Sequence, residues 1–154
     1  MSLDQIRAQY KLILQSVPGI GVVHEYSRMT ADWAKFIEMF QDPSGNILGW
    51  EITRESTGPT RKTISGLSPN AIADRPHMML IRGYRGLRDA SASEKAFQDL
   101  IDAILDKFLP LRTLNGAALD SEEMIASVIT ERLFGGVLCH YAELRQTVWE
   151  RINF

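Results

Sequence analysis

Residues Arg132–Leu144 read RLFGGVLCHYAEL, and the fold turns on how this stretch is taken. It holds the chain's single cysteine, Cys139, with His140 beside it and Tyr141 and Glu143 following. As a reactive centre it would imply an enzyme; as a turn and a strand it would imply a sheet. Gly135-Gly136, set between apolar and β-branched runs, has the composition of a two-residue hairpin turn. It joins a segment from Met124 to Phe134 to one from Val137 to Arg151. Neighbours on a strand leave opposite faces, so Cys139 and His140 cannot pair as nucleophile and base. A free cysteine is also among the residues most often buried as a small apolar group. The stretch is therefore read as a hairpin turn and the strand after it.

Working outward, Ser91 and Glu94 stand in capping-box spacing ahead of Phe97, Leu100, Ile101, Ile104, Leu105 and Phe108, an apolar stripe of helical period that Pro110 ends. His77 to Tyr84 alternates with both faces partly apolar, as a central strand does. Leu48, Trp50 and Ile52 alternate with Gly49, Glu51 and Thr53, the period of a half-buried strand. STGPT at 56–60 is turn chemistry, and Arg61 to Ser65 returns as a short edge strand. GLSPNAIADRP, Gly66 to Pro76, has no period and two prolines, and is expected to be an exposed loop.

At the start of the chain, Ser2 and Gln5 cap a helix whose stripe is Leu3, Ile6, Tyr10, Ile13, Leu14 and Val17, closed by Pro18-Gly19. Val22 to Met29 is extended. Thr30 then caps a short helix with Trp33, Phe36, Ile37 and Phe40 on one face, and Asp42-Pro43-Ser44-Gly45 closes it. The expected order is α-β-α-β-β-β-α-β-β. Hairpins dominate, which predicts a single α+β domain over 1–154, with a mainly antiparallel sheet and helices packed on it.

Composition sets the functional bounds. The 154 residues suit one core, with 45% apolar and 23% charged residues. A net charge of −2 argues against a strongly basic nucleic-acid binder. One cysteine excludes an intramolecular disulfide, so folding needs no oxidising compartment, and a reducing cytoplasm is expected. No run has signal-peptide character or approaches the roughly 18 apolar residues of a membrane span. His24, His77 and His140 lie far apart with no CxxC, HxxxH or HExxH spacing, so no metal or cofactor is expected. IRGYRGLRDASASE lacks both GxGxxG and GKS/T, and reads as a strand end, a turn and a helix cap. Glu122-Glu123 reads as a solvated pair. No catalytic constellation survives, and the chain is not expected to be an enzyme.

A charge asymmetry remains. Arg54, Arg61, Lys62, Arg75, Arg82, Arg85 and Arg88 face only Glu55 and Asp74 across 54–88, whereas 89–130 holds eight acids against Lys95, Lys107 and Arg112. Solvated faces would explain this, and so would complementary surfaces on one protomer. Unlike patches meeting head to tail generate rings or filaments.

The order of these pieces resembles the tail terminator, or tail completion, proteins of long-tailed bacteriophages and related prophages. The pieces are VPGIG after the first helix, VHEYSRM leading into ADWAKFIEMF, GWEITRES, IRGYRGLRDASASEKAFQDLIDAI and ERLFGGVLCHYAEL, which together span nearly the whole chain. The resemblance implies an α+β subunit forming a ring, commonly a homohexamer, on the end of the tail tube. Such a ring stops tube polymerisation and carries the surface to which the filled head attaches. The implied partners are a second copy of the chain, the tail tube protein and a head-completion or connector protein, with only transient DNA passage and no membrane. The implied location is the virion tail, assembled in the bacterial host cytoplasm. The subunit or partner interface is expected at Arg61, Lys62, Arg75, Arg82, Arg85 and Arg88, from the charge pattern alone. The residues leave three other readings open: a head-tail connector or baseplate-proximal subunit, a small enzyme using Cys139, and a ligand-binding domain with a pocket near Trp33 and Trp50.

Overall fold

The structure, a computed structural model, describes residues 1–28, 32–63, 72–87, 92–134 and 136–153 and, within these, every side chain but those of Trp33 and Thr63. In chain order the elements are α1 (Leu3–Gln15), β1 (Val22–His24), α2 (Trp33–Phe40), β2 (Leu48–Thr57), β3 (Arg61–Thr63), β4 (Ile72–Gly86), α3 (Ser93–Phe108), β5 (Asp120–Ser121), β6 (Ile125–Phe134) and β7 (Val137–Asn153). The fold is α+β. A seven-stranded sheet runs β1-β2-β4-β7-β5, with β3 on the β2 side of β4 and β6 on the β5 side of β7. Every pairing is antiparallel except β1 with β2. The two-residue β5 and a 3₁₀ turn at Leu114–Gly116 are additions to the expected order.

The hairpin reading holds: Phe134 pairs with Val137 across the glycine turn, and Gly136 takes φ +87°, a conformation favouring glycine. β7 then runs as a central strand between β4 and the β5–β6 edge. One face of the sheet lies under α1 and α3. There Trp50, Ile52, Met79, Ile81, Ala142, Leu144 and Val148 meet Ile6, Tyr10, Ile13 and Leu14 of α1 and Phe97, Ile101, Ile104 and Phe108 of α3. The alternate residues point to the other face, where α2 sets Phe36 and Phe40 against Tyr84, Tyr141 and Phe134.

Trp50 fixes the packing at the centre. Its indole N–H donates to the Ile20 carbonyl at 2.8 Å, and its ring stacks on Phe97 with centroids 5.6 Å apart. The ring lies over Gly83, where a Cβ would come within 2.2 Å of it. Glycine stands here because the backbone and the indole touch, and no turn requires it. Below α1, the Tyr10 hydroxyl donates to the Gln146 side-chain oxygen, a buried bond from the first helix to the last strand.

Four local expectations change. Gly66 to Pro76 was expected to be a loop; residues 66–71 lie outside the described residues, and Ile72 to Pro76 are the first third of β4, in continuous register with β7 from Ile72↔Asn153 to Gly86↔Cys139. Pro76 is tolerated because its carbonyl accepts from Gly58 N just past the end of β2, at 3.0 Å, so the missing donor faces that side and not β7. The cap of α2 is Asp32, whose carboxylate accepts from Ala34 N at 2.9 Å; Thr30 lies outside the described residues. α3 starts from Ala92, held at φ +53°, and Ser91 lies outside the described residues. At α1 the expected cap is present, with Ser2 Oγ accepting from Gln5 N at 3.2 Å. β1 is shorter than the extended run from Val22 to Met29.

Between β4 and β7, Arg151 donates to both carboxylate oxygens of Asp74, at 2.9 and 3.1 Å, which holds Asp74 below its ordinary value of 3.8. Arg145 does the same to Glu55 at 2.8 and 3.0 Å, and lowers it from 4.5. A carboxylate with a depressed folded-state pKa adds stability above its unfolded value, and that stability is lost as pH falls through the folded value. Acid titration of unfolding should therefore show stability falling below about pH 4.5, and Asp74→Asn with Glu55→Gln should make that fall shallower. An unchanged acid limb in the double variant would rule these pairs out as its source.

Candidate functional site

The reactive-looking residues come first. Cys139 is fully buried on the α2 face, and burial pushes its thiol above the usual value, away from the thiolate a nucleophile needs. His140 points to the opposite face, buried against Phe97. Its Nε2 lies 2.9 Å from Ser93 Oγ in the first turn of α3, while its Nδ1 is 3.8 Å from Glu131, a half-exposed carboxylate beyond hydrogen-bond reach. Ser93 and His140 thus pin the start of α3 to β7, and among the described residues no acid within hydrogen-bond reach orients the imidazole as a relay would require. His77 is buried between Glu150, at 2.7 Å, and Thr57, at 2.9 Å. His24 contacts the Met39 carbonyl at 2.6 Å. Each histidine is engaged by a separate set of partners on neighbouring elements, and among the described residues no group of three His, Cys, Asp or Glu could hold a metal. Trp50 is core; the Trp33 side chain lies outside the described residues.

The predicted interface arginines divide. Arg61 and Lys62 stand exposed on β3, at the sheet edge, with the Arg61 guanidinium 4.9 Å over the Trp149 ring. Arg75 is half-buried in β4, in register with Glu150. Arg82 reaches back to Glu51, a buried carboxylate 3.6 Å away that also accepts from Tyr84 Oη and Arg28 N. Arg85 lines a cavity of about 100 Å³ with Asp42, Asn46, Ile47, Leu48, Gly86 and Ser93. Arg82 and Arg85, three residues apart on one strand, point to opposite faces and cannot share a surface. Arg88 lies outside the described residues.

What the sheet does expose is its β6 margin. β6 pairs only with β7, so along its ten residues the outer N–H and C=O groups meet no strand among the described residues. Ile129 lies opposite Ala142 and Leu133 opposite Leu138, on the face that carries α1 and α3. Leu133 is 69% exposed, with Ile129 and Leu138 near 40%. The hairpin tip projects beyond the helices, leaving these side chains without cover. Charges stand at the root of the same margin: Glu122 and Glu123 are exposed and make no ion pair among the described residues. Sequence reasoning took this hairpin as sheet and this acid pair as solvent-facing. The overlooked signal was Ile129 and Leu133 at strand spacing on the same face as Glu131.

The chain matches no protein-family model and none of the curated proteins.

Proposed function

We propose that this chain is a structural subunit of virion assembly, a tail terminator that forms a ring on the end of a phage tail tube, stops its growth and offers the head-attachment surface. The observation that carries the self-assembly part is the β6–β7 hairpin, an open strand edge whose tip exposes Ile129, Leu133 and Leu138 together. Uncovered strand edges beside apolar side chains are normally paired, covered or blocked in a protein that stays single. The order of sequence pieces described above supports the tail-tube assignment. The partners are further copies of the chain, the tube protein and a head-completion or connector protein, with DNA passing only transiently.

Native mass spectrometry of the purified chain over a wide concentration series tests the ring. A discrete closed oligomer, above all a hexamer, supports it; a monomer at every concentration removes spontaneous ring formation. Capping is tested separately by adding the protein to polymerising tube subunits. Tubes should arrest with a ring on one end, and tube lengths that do not respond would overturn the terminator reading.

A further inference from the structure

We infer that Thr57 is an activated hydroxyl that takes one acyl group from an activated, anionic donor, with His77 as its base and Glu150 as the group that orients the base. Three strands meet to build the cluster: Thr57 ends β2, His77 lies in β4 and Glu150 in β7. Thr57 Oγ1 is 2.9 Å from His77 Nδ1, and His77 Nε2 is 2.7 Å from Glu150 Oε2. A hydroxyl, an imidazole and a carboxylate in that order, each within hydrogen-bond reach of the next, are the parts of a nucleophile, its base and the base's orienter.

The bonding assigns the protons. A carboxylate only accepts, so the contact with Glu150 places the imidazole proton on Nε2. Nδ1 then keeps a bare lone pair, and Thr57 donates to it. The backbone holds this arrangement in place, because Thr57 pairs with His77 across the sheet and Gly58 N donates to the Pro76 carbonyl at 3.0 Å. Burial divides the cluster in the order the chemistry needs. Thr57 is exposed, whereas His77 is 1% and Glu150 8% exposed, so the hydroxyl meets solvent with its base sealed behind it. Ser93 and His140 fail on both counts: that hydroxyl is buried, and Glu131 stands 3.8 Å from the ring.

In the step itself, Thr57 Oγ1 attacks the carbonyl carbon of an ester as its proton passes to His77 Nδ1. The charge gained by the imidazole faces Glu150. The bond from carbon to the leaving group breaks, a phenolate departs with the electron pair, and a new ester remains on Thr57. Turnover stops there, because hydrolysis would need a water at Nδ1, and the acylated side chain covers that atom. The chain is therefore a stoichiometric acceptor, which is compatible with a structural role. Charge selects the donor. Arg54, opposite Met79, and Arg75 stand on the face of His77, one same-face position to either side of it. Neither makes an ion pair among the described residues, so both favour an anionic donor, and the preference weakens with salt.

The test incubates the full chain with 4-nitrophenyl acetate and with its 3-carboxy analogue. Nitrophenolate release is followed by absorbance, normalised to hydrolysis in buffer, and the acetyl group is mapped by peptide mass spectrometry. One equivalent per chain should be released in a burst, with the acetyl on Thr57. The carboxylated ester should react faster, by a margin that shrinks as salt is added. Thr57→Val and His77→Gln should slow the burst about a hundredfold, and Thr57→Ser should keep it. Glu150→Gln should slow it about tenfold or more, and Glu150→Asp, which restores an acceptor-only group, should recover part of the rate. Circular dichroism confirms each fold. Thr57→Val alters only an exposed side chain, so it carries the test if a variant at His77 or Glu150 does not fold. Acetyl groups spread over lysines with Thr57 unlabelled, or a Thr57→Val burst equal to the wild type, overturn the assignment. Equal normalised rates for the two esters overturn the anionic-donor part.

Discussion

Gly83→Val should lower the unfolding free energy by about 3 kcal/mol or more, measured by urea denaturation. The Cβ alone would overlap the Trp50 ring, and three constraints stop that ring from yielding. Trp50 is fully buried, its N–H is committed to the Ile20 carbonyl, and its face is stacked on Phe97. Removing the ring by Trp50→Ala should cost about 4 kcal/mol through the cavity it leaves. The two changes are coupled, because space opened by one is occupied by the other. The double variant should therefore be more stable than the sum of the single losses implies, by about 1 kcal/mol or more. Strict additivity would mean the sheet backbone moves away from Trp50 instead of compressing it. Against a typical domain stability of about 5–15 kcal/mol, either single change takes a large share.

Ile129→Asp combined with Leu133→Asp should leave folding stability within about 0.5 kcal/mol of the wild type, because both side chains already face solvent in the single chain. Its effect should fall on association. Covering the exposed parts of the two side chains in an interface contributes roughly 2 kcal/mol at about 25 cal/mol per Å², about thirtyfold in affinity. Two carboxylates in the same contact add a desolvation cost. Sedimentation velocity at concentrations where the wild type is assembled should then show the variant as a monomer. An oligomer of unchanged strength would place the contact elsewhere on the surface.

Elements defined by local chemistry were legible in the sequence. Gly135-Gly136 specified its hairpin, Ser2 its helix cap, and Phe97, Ile101, Ile104 and Phe108 the buried stripe of α3. Elements defined by distant partners were not. Ile72 to Pro76 are strand because β7 lies alongside them, and nothing in IADRP carries a period that reports Asn153 or Glu150. β5 is two residues held by Trp149 and Val148, too short for any pattern. The charge count foresaw an excess of basic residues but not their placement. Arg82 is drawn to Glu51, thirty-one residues earlier in the chain, and only the pairing of β2 with β4 brings them together. The separation of Arg82 from Arg85 could have been read directly, since an odd spacing on a strand always divides two side chains between faces.

β7 follows the other strands of this sheet in chain order, yet it sits inside the sheet, with β4 along one side and β5 and β6 along the other. While it is still being synthesised, β4 has one long margin open, α1 lacks the Gln146 partner of Tyr10, and β6 has nothing to fold back upon. The nascent chain must therefore carry α1, β2 and α3 with their apolar faces unsatisfied, and close the sheet in one late step. Long-range closure of this kind is slow, and the open intermediate is the species a chaperone or an aggregate would capture. A stop codon between β6 and β7 should consequently yield no smaller stable domain, only a chain that is cleared or precipitates.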